Sequence, residues 1–570
     1  MQTGGSFLLI STGSEPISTP EQLSADQKAL GQAAHDFVER EILPLNDKIE
    51  SRESGLMPRL LKKAGEIGLL MAEVPENYGG LGLGKVAATV LAENATSQGS
   101  FQVACMCHTG IGTLPIIYWG TEAQKQKYLP KLAIGEMLAA YALTEANAGS
   151  DALSGRTTAK LSADKKKYIL NGEKIFITNG GFADLITVFA KVDGKVTAFL
   201  VERTFKGVST GPEEKKMGIH GSSTVPVILQ DAEVPVENVL GELGKGHKVA
   251  FNTLNVGRWK LGAGCVGASK RLLAISAKYV MERAQFGQPI GKFELIREKI
   301  ADCSIRTYLL ESLVYRYAGT LDEAHARASN AAEKVKQLEE YAIEASIAKV
   351  YGSEVLQFVS DESVQMHGGY GFCEDYVVER FYRDCRINRI FEGTNEINRM
   401  IIPGTLLKRA MAGQLDFMGE IGNILGWLKS GFPKRDASQP LAIWQDACDQ
   451  LKRLAIYVCA VGVQKYADKI QERQSLLAGV ADMVIDAYAI ESGLVRAIQS
   501  KNKFHEEMTK VYIAERLPHL KALARQLLAN IAEANEAEFV KYEKALERIV
   551  PRITFDTRKA KETIAANILK

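Results

Sequence analysis

The spacing of apolar residues changes character twice along the chain. In QKALGQAAHDFVEREILPL (27–45), Leu30, Ala33, Ala34, Phe37 and Ile42 recur near helical spacing, and residues 25–135 read as helices. Pro75 and the Gly79-Gly80 pair interrupt this region before a further helical stretch from Lys85. From about 140 to 240 the period falls to two. There KKYIL and EKIFIT flank Asn171-Gly172, and LITVFAKV and VTAFLVE flank Asp193-Gly194, so both dipeptides predict hairpins in a small antiparallel sheet that ends near Val239. Helical spacing returns at 262–283, 292–318 and 330–366. After SGFPKRDASQP (430–440), Trp444, Ala447, Cys448, Leu451, Leu454, Ala455, Val458, Val461 and Gly462 mark one more helical block. The expected fold class is α+β, mostly α: a helical domain (25–139), a middle antiparallel β domain (140–245), a second helical domain (246–412) and an extra helical domain (413–570). At 570 residues the chain exceeds a single core, in keeping with several domains.

Composition narrows the classes. Seventy basic and 68 acidic residues leave a net charge of +2, which gives no general reason to bind nucleic acid. The eight cysteines include no C-x-x-C pair, so neither a zinc site nor a disulfide framework is expected, and a reducing compartment fits. The first 24 residues hold no Lys or Arg, unlike a signal or transit peptide. No apolar run approaches the ~20 residues of a membrane span.

GAGCVG (262–267) is a literal G-x-G-x-x-G, but the preceding FNTLNVGRWK has no period-two run of β formers. It reads as small residues that let two helices pack closely, not as a dinucleotide fingerprint. Four other segments carry candidate chemistry. YALTEANAGSDA (141–152) offers Thr144 and Ser150 among small residues, where backbone amides could meet a phosphate or ring carbonyl. KIFITNGG (174–181) places Phe176 and Thr178 on one face of a strand, one to stack and one to donate. ERAQFGQPIGKF (282–293) brings Arg283, and QMHGGYGF (365–372) ends a helix at Gly368-Gly369. Taken singly, each is equally a solvated turn, a plain β surface, a helix-terminal cation or a glycine cap. A fifth, RIFEGTNEINR (389–399), sets Glu392 between Phe391 and Gly393, an odd place for a carboxylate.

Together these five segments, with KKMGIHGSST and VPVENVLGE, resemble the acyl-CoA dehydrogenase family in order and spacing over about residues 25–410. The stretch after 415 resembles the extension carried by the very-long-chain branch. The resemblance implies a four-helix-bundle-like third domain, FAD as cofactor, no metal, and oxidation of a long-chain fatty acyl-CoA to a trans-2-enoyl-CoA. It implies Glu392 as the base, with Ile390 and Phe391 excluding water and Gly393 letting the thioester approach. Members that carry the base on an earlier helix would place it in NVGRWK (255–260), which holds Gly257 and Arg258 but no carboxylate. Tyr141, Leu143, Thr144, Ser150, Phe176 and Thr178 are implied around the flavin ring; Arg283, Phe286, Gln365, Gly368 and Gly369 at its nucleotide end, usually from a neighbouring subunit; and Thr394 and Glu396 also on the cofactor. Ser150, Asn255, Arg258 and Gly393 are implied on the acyl-CoA side. Gln102 and Met106 lie on the segment matching the acyl tunnel wall and either shorten it or point away. An electron-transferring flavoprotein is the implied acceptor. The alternatives are an oxidase that uses oxygen and a non-catalytic scaffold that keeps the fold. The extension implies either a bundle that covers the surface used elsewhere for a second dimer, leaving a homodimer, or a membrane-surface helix with weak affinity. The expected location is cytoplasmic, including the inner face of the membrane.

Overall fold

A computed structural model of the chain describes residues 3–570. The N-terminal helices include α1 (Ala25–Phe37), α2 (Leu56–Glu66), α3 (Lys85–Asn94), α4 (Gly99–Met106) and α5 (Glu122–Ala133). Ser24 starts α1 with a reciprocal capping box to Gln27, and Thr121 starts α5 with the same device to Gln124. A wider turn, Cys107–Gly112, continues α4. The stretch Gly99–Trp119 is long and apolar enough to cross a membrane, contrary to the expectation from sequence, but 67% of its most apolar window is buried inside the protein. It is placed there as a core helix.

Eight strands follow: β1 (Ala139–Ala142), β2 (Thr158–Leu161), β3 (Lys167–Thr178), β4 (Leu185–Val192), β5 (Lys195–Glu202), β6 (Val208–Thr210), β7 (Thr224–Pro235) and β8 (Val239–Leu240). The order is β6-β7-β3-β2-β4-β5-β8, with β1 on β4. The sheet is mixed, not purely antiparallel, because β1 runs parallel to β4. Asp193-Gly194 does turn a hairpin, pairing Val192 with Lys195, and both turn residues have positive φ (48° and 77°). Asn171-Gly172 does not. It lies inside the continuous strand β3, where the register to β7 slips between Leu170 and Gly172. A Cβ at Gly172 would lie 2.8 Å from the Thr157 backbone, so the glycine serves close strand approach.

The remaining chain is helical apart from a two-residue-per-strand hairpin that pairs Ala284–Gln285 with Gln288–Pro289. Helices α6 (Gly246–Glu282), α7 (Glu294–Ala326) and α8 (Ala342–His367) pack together, and α9 (Asn395–Met411) leans on α8. GAGCVG falls within α6. A Cβ at Gly262 would lie 3.0 Å from the Ala348 carbonyl oxygen, so this glycine is where α6 and α8 cross. The extra domain comprises α10 (Phe417–Ser430), α11 (Ala442–Tyr466), α12 (Gln474–Ser500) and α13 (Lys503–Ala532), followed by further helices. Ala447, Cys448, Leu451, Leu454 and Val458 are buried along α11 as their spacing predicts. Helix α12 docks on α7 through buried pairs, Arg496 to Glu311 (2.7 Å) and Arg316 to Glu491 (2.9 Å).

The N-terminal segment, whose residue spacing predicts no element, straps the two helical regions together. The Gly5 amide donates to Glu344 on α8 (2.7 Å), and the Thr12 amide donates to Asp449 on α11 (2.7 Å). Lys452 donates to the Ile10 carbonyl (2.8 Å), and Glu21 pairs with Arg496 on α12 (2.7 Å).

Candidate functional site

Glu392 lies in the turn before α9, with φ at +58°, a strained value for a residue other than glycine. Thr394, two residues after Glu392, caps α9 by accepting from the Ile397 amide (3.2 Å), which fixes the downstream end of the turn. Asn398 reaches back to donate to the Gly393 and Thr394 carbonyls (2.8 and 3.0 Å). Arg258, on α6, donates from Nε to the Glu392 carbonyl (3.2 Å) and from its guanidinium to Asn255 (2.6 Å). These contacts hold the carboxyl side chain against α6 at Gly257, where a Cβ would lie 2.6 Å from Glu392 Cδ. Only glycine leaves that space.

Part of Glu392 reaches solvent, but its Oε2 is buried with no hydrogen-bond partner. Burial pushes its pKa up to about 7, against the pull of Arg258 and Lys349. Burial also raises the Cys107 thiol and the Tyr141 phenol, each further raised by Glu392. A carboxylate that is desolvated, undonated and near neutrality is suited to accept a proton from a weak carbon acid. The shielding differs from expectation. Ile390 is 49% exposed and covers little, while Phe391 packs against the helical core. Gly257, Cys107 and Tyr141 supply the dry surroundings instead.

Arg258 and Asn255 also differ from expectation. Both are buried, at 5% and 4% exposure, and bound to one another and to the Glu392 loop, so in this arrangement neither presents itself to a phosphate. Asn255 spends its amide on the Leu338 carbonyl (3.2 Å). Ser150 is exposed beside Gly149, where an added Cβ would touch nothing. Glu396 is exposed on the first turn of α9.

The side chains of Tyr141 and Leu143 point into the core, and Tyr141 donates to the Ala250 carbonyl (3.3 Å). Thr144 accepts from the Ile175 amide at its backbone carbonyl (2.9 Å). In β3 a second register slip between Lys174 and Ile177 puts Phe176 at φ +58° and leaves it 59% exposed. A bare aromatic ring held outward at a bulge, with Thr178 beside it, fits a platform for a flat ligand. Glu145 was missed from sequence. It pairs with the buried Lys174 (2.6 Å) and accepts from the Thr157 amide (3.1 Å), bracing the loop that carries Ser150 against β3. Its TE dipeptide gave no spacing signal.

Arg283, Phe286, Gln365, Gly368 and Gly369 form a separate exposed cluster at the far end of α6 and α8. Phe286 is 94% exposed, Arg283 lies over the Tyr370 ring at 5.5 Å, and an added Cβ at Gly368 or Gly369 would meet nothing within 4 Å. Gly257 and Arg283 are 26 positions apart, about 39 Å along a helix at 1.5 Å per residue. One protomer therefore does not bring this cluster to its own Glu392.

A small apolar cavity of about 40 Å³ lies between the N-terminal helices and α6, lined by residues such as Leu70, Ala88, Leu91, Ala92 and Met106. Its wall includes Glu73 and Lys260. Glu73 is paired to both Lys85 and Lys260, and although burial opposes ionisation the two ammonium groups hold its pKa down to about 2. Met106 faces the cavity; the Gln102 amide instead turns over Gly264 on α6.

Four family models match: acyl-CoA dehydrogenase N-terminal domain at 24–136, middle domain at 140–232, and C-terminal domain at 244–407 and again, by a second model, at 450–541. The chain is 45% identical over 566 residues to a probable acyl-CoA dehydrogenase of Bacillus subtilis, covering 97% of this chain and 95% of that one. It is 37% identical to the mitochondrial very long-chain specific acyl-CoA dehydrogenase of Bos taurus, covering 88% and 79%. A crystal structure of an acyl-CoA dehydrogenase complexed with FAD from Bacillus anthracis superposes with a TM-score of 0.97 at 45% identity, covering 100% and 99%.

Proposed function

The chain belongs to the acyl-CoA dehydrogenase family, and from that premise we propose that it is an FAD-dependent dehydrogenase of fatty acyl-CoA thioesters with Glu392 as its base. The observation that carries this reading is the buried, undonated Glu392 carboxylate facing Gly257, with a pKa near 7. Glu392 takes the proton from the α-carbon of the acyl thioester, and the carbon–carbon double bond forms as the β-hydrogen leaves. FAD, when bound, supplies the acceptor for that hydride. Phe176 and Thr178 hold the flat ring at the sheet, with Thr144 and the backbone of Tyr141 and Leu143 at its edge. Gly393 and Ser150 face the acyl-CoA. Arg258 and Asn255 set the position of the base loop.

A homodimer belongs to the same reading. The cluster of Arg283, Phe286, Gln365, Gly368 and Gly369 is too far from its own Glu392 for one cofactor to span, so it serves a second copy's FAD. The extra domain already covers α7, which favours a dimer over a larger assembly. The reading includes a long acyl chain, supported by the extra domain and by the small side chains of Ala88 and Ala92 in the apolar cavity wall. An electron-transferring flavoprotein is the proposed acceptor. Weak binding to the cytoplasmic membrane face is supported by α10, where Met418 (78%) and Leu425 (51%) are exposed next to Met411 (89%).

The test is Glu392→Gln. The variant is expected to keep FAD and lose turnover, because the amide accepts no proton at this site. Turnover near the wild-type rate would place the base elsewhere.

A further inference from the structure

Among the described residues, buried lysines have carboxylate partners, with one exception. Lys85 and Lys260 pair with Glu73, Lys174 with Glu145, Lys452 with Glu491, and Lys561 with Asp302 and Glu515. Lys349, on α8, is 0% exposed, and among the described residues no carboxylate lies within ion-pair distance of it. Its ammonium donates to a neutral group, Asn395 Oδ1, at 2.7 Å. A buried ammonium without a countercharge is costly, so its placement needs a reason.

Asn395 is the first residue of α9 and stands three positions after Glu392. Its side chain also exchanges hydrogen bonds with Ser353 (3.1 and 3.2 Å) and donates to Glu354 (3.1 Å), both on α8. Lys349 is thus fixed under the turn that carries Glu392. The charged and titratable groups around Glu392 are Arg258 from α6, Lys349 from α8, the Cys107 thiol and the Tyr141 phenol. Those around Lys349 are Glu392, Arg258, Cys265 and Glu396, and Glu396 is exposed to water. Arg258 is already committed to the Glu392 carbonyl and to Asn255. Glu392 Oε2 has no donor, and Lys349 has no carboxylate.

We infer that Lys349 is a positioning residue whose buried charge is countered by Glu392 across the α9 turn, and that it keeps the base ionised in the resting enzyme. This rests on the reading of Glu392 as the base. The two groups are linked in both directions. Burial lowers the Lys349 pKa to about 7 and the Glu392 carboxylate holds it up, while Lys349 draws the Glu392 pKa down against burial. A proton that arrives on Glu392 from substrate removes the countercharge of Lys349. The lysine therefore favours the carboxylate before proton transfer and is less well compensated after it.

The test uses FAD-bound holoenzyme and the anaerobic rate of flavin bleaching by palmitoyl-CoA, followed across pH for Lys349→Met, Lys349→Gln and Lys349→Arg. Loss of the charge is expected to move the acid limb up by about one pH unit or more. At the wild-type midpoint that is about a fivefold loss of rate. Lys349→Arg keeps the charge and is expected to keep the limb. A uniform fall in rate with the limb unmoved in both neutral variants would show a purely structural lysine and overturn the inference. Should both neutral variants fail to hold FAD, Asn395→Asp decides, since it keeps the lysine and gives it a carboxylate of its own; an unmoved limb there also overturns the inference. Glu392→Gln run alongside separates the two claims. If that variant still bleaches, the base assignment has failed; if it does not, an unmoved limb counts against Lys349 alone.

Discussion

Gly257→Ala offers a test in which stability and activity part company. A Cβ at 257 would lie 2.6 Å from Glu392 Cδ and nearer still to its Oε2, whereas ordinary contact begins near 3.4 Å, so the carboxyl group must move by roughly 1 Å. The atom in the way ends a side chain, so the fold can yield at small cost, about 1 kcal/mol for an off-rotamer torsion. Against that, exchanging glycine for alanine inside the long helix α6 gains about 1 kcal/mol. The two nearly cancel, and the melting temperature is expected to shift by only a few degrees. Catalysis does not share this tolerance, because a displacement near 1 Å in a reacting group costs about 100-fold in rate. The assay is single-turnover flavin bleaching by acyl-CoA under anaerobic conditions, with FAD content and melting temperature measured on the same sample. A variant that holds FAD, melts as the wild type and bleaches at the wild-type rate would refute the placement of Glu392 against α6.

Glu392 should also impose a pH dependence of known sign. Its pKa is raised from the usual 4.5 to about 7, so bleaching is expected to slow about tenfold for each pH unit below that value, as read by stopped flow. Between pH 4.5 and 7 the folded state binds more protons than the unfolded one, so this group's contribution to stability is present at low pH and falls by about 3 kcal/mol as pH rises through the window. Glu392→Gln should flatten that slope in melting curves. Asp449→Asn should free the N-terminal strap, since Asp449 accepts from Thr12 and pairs with Arg435 (2.8 Å); a loss of about 3 kcal/mol and earlier proteolytic cleavage before residue 25 are expected. Deleting 415–570 should give insoluble protein, because it uncovers α7, strands Arg316 and leaves Glu311 with Lys270 alone; a soluble, dimeric, active product would show that the extra domain has no part in assembly.

Much of this architecture could be read from residue spacing. The α–β–α order, the Asp193-Gly194 hairpin and the buried stripe of α11 follow from local periods and turn chemistry that tertiary packing did not override. Asn171-Gly172 misled because the same dipeptide that turns a hairpin also suits a strand at a point of close approach, here to Thr157. The candidate site was legible in its carboxylate and less so in its support. Glu392 stood out as a carboxylate among apolar neighbours. That Gly257 makes room for it, that Arg258 grips its carbonyl, and that Ile390 shields little all depend on contacts across more than 100 positions. Lys349 and Glu145 gave no local signal because their partners lie on other elements. The strap was invisible for the same reason: three of its contacts use the backbone of Gly5, Ile10 and Thr12, which carries no sequence identity, and the partner of Glu21 lies far along the chain on α12.

In the proposed chemistry the half-buried Glu392 removes the α-proton of an acyl-CoA while bound FAD receives the hydride. The most direct measurement is the anaerobic absorbance spectrum of the purified, FAD-bound protein before and after palmitoyl-CoA, on wild type and Glu392→Gln together. The account predicts flavin bands that bleach in the wild type and persist in the variant. Bands that persist in both, or bleach equally in both, would contradict it.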